Sequence, residues 1–109
     1  MPTVYHKLLN RLRNVKQNFH GIGKESAAIE TYCEHMLQRY KRHREGTTVF
    51  AAEAAYDDLH DLYRSISLLN MLGVISDTDA NYMLNIIDKE QSELIILRGQ
   101  RREYEENDR

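Results

Sequence analysis

Residues 49–73, VFAAEAAYDDLHDLYRSISLLNMLG, contain the pattern that decides the fold. Apolar side chains recur there at steps of three and four residues, at Ala52, Tyr56, Leu59, Tyr63, Ile66 and Leu69. That spacing places them on one face of an α-helix, whereas a half-buried strand alternates at a step of two. The stretch therefore predicts an amphipathic helix from about Val49 to Leu72.

The same pattern assigns the remaining side chains of this helix to faces. Leu62, Met71 and Leu72 widen the apolar face in its second half. Asp57, Asp58 and Asp61 fall on the opposite side, so we expect them to face away from the core.

Both ends of this helix carry recognisable capping residues. Thr47 or Thr48 is suited to the N-cap, because a threonine hydroxyl can accept a hydrogen bond from the first turn. Gly73 followed by Val74 is typical of a Schellman ending, in which glycine takes the left-handed conformation. Ser76 with Asp79 three residues later then resembles a capping box and begins another helix.

Three further segments have the same helical periodicity. We expect helices over about 4–19, 24–43 and 77–97, with Gly21-Ile22-Gly23 ending the first of them. The chain has a single proline, at position 2, so it contains almost no helix breakers. Four amphipathic helices with short joins predict an all-α fold, an antiparallel up-down four-helix bundle-like domain. We expect residues 1–98 to form this single domain.

The last helix is predicted to be long and to lead into a charged extension. Residues 99–109 contain Tyr104 as their one large apolar side chain. We therefore expect a charged, exposed C-terminal tail that is frayed, or ordered only by a partner.

Composition restricts the class of protein. No apolar run approaches the ~20 residues of a membrane helix, and the first residues lack the apolar block of a signal peptide. Cys33 is the one cysteine, so an internal disulfide is excluded, and we expect it to pack as a small apolar residue. These features predict a cytoplasmic protein without a membrane partner.

The net charge of −2 conceals an uneven distribution. Residues 1–48 have nine Lys and Arg against four Asp and Glu, whereas residues 49–109 have six against thirteen. Such asymmetry can indicate nucleic-acid contact through the basic half. It can equally indicate attraction between the two halves, within one fold or across a homodimer.

One dipeptide is similar to a known metal-binding motif. His60-Asp61 resembles the metal-binding pair of all-helical HD-type phosphohydrolases, which also use another His, such as His35 or His43, and a later Asp, such as Asp88. That resemblance would imply a metal-dependent hydrolase.

Two other spacings are compatible with metal ligation. Asp57-x-x-His60 has the spacing of helical di-iron sites, and Glu90-x-x-Glu93 with Glu105-x-x-Asp108 has that of magnesium-binding carboxylates. A solvated helix face explains each of these patterns, so we predict no catalytic residue, no metal and no cofactor.

The sequence favours a non-enzymatic protein-protein interaction protein: an adaptor, inhibitor or regulator. In size and composition it resembles bacteriophage and mobile-element accessory proteins and toxin-immunity proteins, without any shared motif. Charged clusters steer association and select partners. The predicted partner-binding residues are Arg39, Tyr40, Lys41, Arg42, Arg44, Asp57, Asp58 and Asp61. The alternatives are a nucleic-acid-binding protein that uses the basic first half, and the HD-like hydrolase.

Overall fold

A computed structural model describes residues 3–17 and 24–107 of the chain, and over these residues it has four helices and no strand. The helices are α1 (Val4–Gln17), α2 (Lys24–Glu45), α3 (Val49–Met71) and α4 (Asp77–Asn107). None of these helices is both long and apolar enough to cross a membrane. The predicted Gly21-Ile22-Gly23 ending and the last two positions of the predicted first helix, 18 and 19, lie outside the described residues.

The helices form the predicted antiparallel bundle. α1 packs beside α2 and α4, and α3 packs beside the same two helices, so α2 and α4 occupy opposite corners. Lys41, near the end of α2, lies over the ring of Tyr5 at the start of α1. Arg102, near the end of α4, donates to Glu53 near the start of α3, and α2 and α3 pack against each other across the short join 46–48. Consecutive helices therefore run in opposite directions, in a body with extents of 57 × 24 × 22 Å.

The predicted apolar faces meet in one core. On α3 the buried side chains include Ala52, Leu59, Leu62, Ile66 and Leu69, while Tyr56 and Tyr63 pack at its edge. The other helices contribute Leu8, Leu12 and Val15, then Cys33, Met36 and Leu37, then Met83, Ile87 and Leu94. Because each helix buries one stripe, this core explains why the bundle forms.

The predicted caps are present at both ends of α3 and at the start of α4. The hydroxyl of Thr48 accepts a hydrogen bond from the backbone of Ala51. Gly73 has a φ of 76°, and the amide of Val74 donates to the carbonyl of Leu69, which is the Schellman arrangement. The amide of Asp79 donates to the hydroxyl of Ser76. Local sequence therefore fixes where the α3–α4 hairpin turns.

The expectation that the C-terminal segment frays is wrong, because α4 continues as a helix to Asn107. Its last turns lie beside the start of α3. Arg101 donates to the carbonyl of Thr48 at 3.0 Å, and Arg102 donates to Glu53 at 3.3 Å. Glu105 accepts from the amide of Val49 at 3.3 Å. Most side chains there are exposed, but these three contacts hold the helix against α3.

The N-terminus of α3 stabilises the last turns of α4 electrostatically. The first turn of α3 has no acidic residue of its own, although a helix N-terminus attracts negative charge. The Glu105 carboxylate meets that requirement from α4.

Replacing a core leucine of α3 should destabilise the bundle. Leu62 is fully buried, so Leu62→Ala should lower the free energy of unfolding by about 2–5 kcal/mol. Leu68 lies on the same helix with 44% of its surface exposed, so Leu68→Ala should cost less than about 1 kcal/mol. Urea denaturation followed by circular dichroism measures both. Equal losses for the two variants would contradict this assignment of the α3 faces.

Candidate interaction surfaces

A buried carboxylate, Glu90, accepts hydrogen bonds from α2 across the bundle. Its side chain is almost completely buried on α4. The hydroxyl of Tyr40 donates to Glu90 Oε2, and Arg44 Nε donates to the same oxygen at 3.2 Å. Burial, and then the nearby carboxylate, raise the pKa of Tyr40 above its ordinary value, so the hydroxyl stays protonated and acts as the donor. The cluster joins two opposite corners of the bundle.

A second buried carboxylate, Asp58, pairs α3 with α2. Oδ2 of Asp58 lies 2.6 Å from Nδ1 of His43, and Oδ1 lies 3.7 Å from Nε of Arg39. The expectation that Asp58 faces away from the core is therefore wrong. The physical reason is its position on the edge of α3 next to α2, where cationic and imidazole side chains meet the carboxylate and offset its desolvation.

These two clusters divide the predicted partner-binding residues. Tyr40 and Asp58 are buried, and Arg44 is bonded to Glu90. Lys41 lies 5.0 Å from the centre of the Tyr5 ring, and Arg39 contacts Asp58 while remaining about half exposed. The structure thus brings Arg39 and Asp58 together, and Tyr40 and Arg44 together, as internal contacts.

The other three predicted residues, Arg42, Asp57 and Asp61, are exposed. They are distributed over α2 and α3, and they remain candidates for contact with another molecule.

The basic first half is also partly neutralised. Arg11 of α1 bonds to Asp79 at 2.7 Å and stacks over the Tyr82 ring at 3.9 Å. Arg39 and Arg44 also pair with acidic residues of the second half, so three ion pairs link the two halves of the chain. These pairs favour the reading in which the two halves attract each other.

The residues predicted for metal chemistry are dispersed. His60, Asp61 and Asp88 are exposed, whereas His43 contacts Asp58. Among residues 3–17 and 24–107, no three His, Cys, Asp or Glu side chains are placed to hold a metal ion. Glu90, predicted to be part of a surface pair with Glu93, is instead buried between α2 and α4.

An open groove runs between α3 and α4. Its floor consists of Ala52, Tyr56, Leu94 and Ile95, and its volume is about 490 Å³. Glu53 and Asp57 form the wall on α3, and Arg98 forms the wall on α4. Ile95 is 50% exposed in this groove. We call this feature the α3–α4 groove; it has an apolar floor between walls of opposite charge.

A cluster of exposed apolar residues lies at the end of α3. Met71 is 82% exposed, Leu72 is 56% exposed and Leu68 is 44% exposed. The prediction that Met71 and Leu72 widen the buried apolar face of α3 is wrong. Leu69 and Ile75 are the last buried side chains at the end of the bundle where α3 turns into α4, and Met71 and Leu72 lie outside them. We call Leu68, Met71 and Leu72 the apolar tip. Arg64 and Tyr63 line a shallow depression together with Leu68 and Met71.

No protein-family model, curated protein or solved structure matches this chain. The candidate surfaces are therefore defined by their own chemistry. The apolar tip and the α3–α4 groove were not predicted from the sequence, although Leu68-Leu69 and Ile95-Ile96 offered a signal. Adjacent residues on an α-helix point about 100° apart, so a pair of apolar neighbours can place one side chain outside a narrow core-facing stripe.

Removing the Tyr40 hydroxyl should destabilise the protein. Tyr40→Phe takes a donor from buried Glu90 and should lower the free energy of unfolding by about 1–3 kcal/mol. Tyr104→Phe is the matched control, because Tyr104 is exposed on α4. Chemical denaturation of both variants tests this. Equal stability of Tyr40→Phe and Tyr104→Phe would show that the buried bond contributes nothing.

The thiol of Cys33 should be unreactive in the folded protein. Burial, and then the negative charge of Glu30, raise its pKa from 9.0 to about 12, and a thiol reacts as the thiolate. The thiol ionises at a lower pH in the unfolded chain than in the folded one. The free energy of unfolding should therefore fall as the pH rises above 9.0. Labelling with a chromogenic disulfide should therefore be slow until denaturant is added. Labelling as rapid as that of a free thiol would refute the buried placement.

Proposed function

We propose that this chain is a small, non-enzymatic protein-interaction protein, an adaptor, inhibitor or regulator, that binds another protein through the apolar tip. The observation that carries the proposal is the exposure of Met71, Leu72 and Leu68 side by side. Clustered apolar residues at a surface are typical of sites that bind other proteins, whereas isolated ones are ordinary.

The chemistry of the apolar tip indicates the kind of partner. Methionine adapts its shape to different surfaces, and both methionine and arginine are enriched in protein interfaces. Exposed Arg64 lines the depression beside Leu68 and Met71. A matching partner would present apolar side chains to the tip and a carboxylate to Arg64.

The exposed charges of the chain fit a steering role in the same proposal. Arg42 and Asp61 remain at the surface after the buried pairs have formed. Such charges mainly change the rate and selectivity of association. The internal pairing of Arg11, Arg39 and Arg44 supports this function better than the nucleic-acid alternative, because paired cations contribute less to phosphate binding.

Adding a charge to the apolar tip should abolish partner binding. Met71→Glu should reduce the recovery of bound protein from cells that express the chain by roughly tenfold or more, since desolvating a carboxylate in an apolar interface is costly. The matched control is Ile96→Glu on α4, where the replaced side chain is also exposed, at 61%. Quantitative mass spectrometry measures the amount of each protein that is recovered with each variant. Circular dichroism verifies that both variants are folded.

The outcome against the proposal is equally specific. If the Met71→Glu, Ile96→Glu and unaltered chains recover the same proteins in the same amounts, the apolar tip is not the binding surface.

A further inference from the structure

The α3–α4 groove has walls of opposite charge, and this arrangement is self-complementary. Asp57 is an exposed acid on the α3 wall, and Arg98 is a partly exposed base on the α4 wall. We propose that a second copy of this chain occupies the groove and forms a two-fold symmetric homodimer. This inference goes beyond the proposed function and uses a different surface from the apolar tip.

Symmetry explains why the second copy fits. In a two-fold dimer the same surface patch is used by both partners, so every contact occurs twice. A two-fold axis parallel to the helices, passing over the groove, places the α3 wall of one copy opposite the α4 wall of the other. Asp57 of each copy then faces Arg98 of its partner, and no like charges meet.

The floor of the groove supplies an apolar centre for this contact. Ile95 is half exposed and Tyr56 is partly buried, so both have surface left to bury against another molecule. Ala52 and Leu94 beneath them are buried in the core, which keeps the floor in place. An apolar centre with charged edges is the usual composition of a protein interface.

Asp57 is the acid on which the contact depends. Glu53, the other acid of the α3 wall, already accepts a hydrogen bond from Arg102 of its own α4 at 3.3 Å. Asp57 is therefore better placed to meet a cation from another copy.

The dimer would have a consequence for the apolar tip. With the two-fold axis parallel to the helices, both copies present the end of α3 at the same end of the assembly. Two tips on one particle would bind a partner that has two matching sites more tightly than one tip alone.

A charge exchange tests the dimer with the full chain. Asp57→Arg and Arg98→Asp, each alone, place like charges opposite each other in a homodimer. Each should raise the dimer dissociation constant roughly tenfold or more, as measured by sedimentation velocity over a concentration series. An equimolar mixture of the two variants should restore the dimer, because every 57–98 pair in the mixed dimer is again of opposite charge. Asp61→Arg, outside the groove, is the control and should remain dimeric.

A second pair of variants covers the case in which a charge-exchanged chain fails to fold. Ile95→Glu should separate the dimer, whereas Ile96→Glu, on the adjacent residue outside the groove, should not. The unaltered chain remaining monomeric at its highest soluble concentration would overturn the inference. So would a mixture that stays monomeric, or equal effects of Asp57→Arg and Asp61→Arg. A monomeric variant keeps its own apolar tip, so binding of a partner with a single matching site should be unchanged, and the two proposals can fail separately.

Discussion

The bundle depends on neutralising one buried negative charge. Glu90 lies inside the core, where an unpaired carboxylate would be strongly destabilising. Tyr40 and Arg44 of α2 meet it from the opposite corner of the bundle. Since apolar stripes alone tolerate a shift of one helix along another, this directional contact fixes the axial position of α4 relative to α2. Asp58 does the same between α3 and α2, through His43 and Arg39.

These internal pairs determine what the surface can do. The sequence has a basic first half and an acidic second half. Three ion pairs between the halves neutralise part of this charge difference: Arg11 with Asp79, Arg39 with Asp58, and Arg44 with Glu90. Arg39 and Arg44 keep partly exposed side chains, but each has an acidic partner in the second half of the chain. The proposed binding surfaces are therefore the apolar tip and the α3–α4 groove, where exposed apolar or oppositely charged side chains lie close together.

Much of the fold could be predicted because its signals are local. The step of three and four in α3, the Thr48 cap and the Gly73 turn each depend on neighbours in sequence. The placement of Asp58 and Glu90 could not be predicted in this way, since a carboxylate enters the core only where another helix supplies its partner. The same holds for Glu105, which stays helical because α3 offers it an amide. Met71 and Leu72 were misplaced because periodicity does not show where a core ends.

The α3–α4 hairpin is closed at both of its ends, by the Gly73 turn at one and by Glu105 and Arg101 at the other. By contrast, α1 is the shortest of the described helices and packs the least extensively. A helix of that length is marginal without its neighbours. Native-state opening should therefore begin with α1 lifting away, leaving the hairpin intact. In that open form the core positions of Leu8 and Leu12 would be vacated, and the apolar side chains that they cover on the other helices would meet solvent.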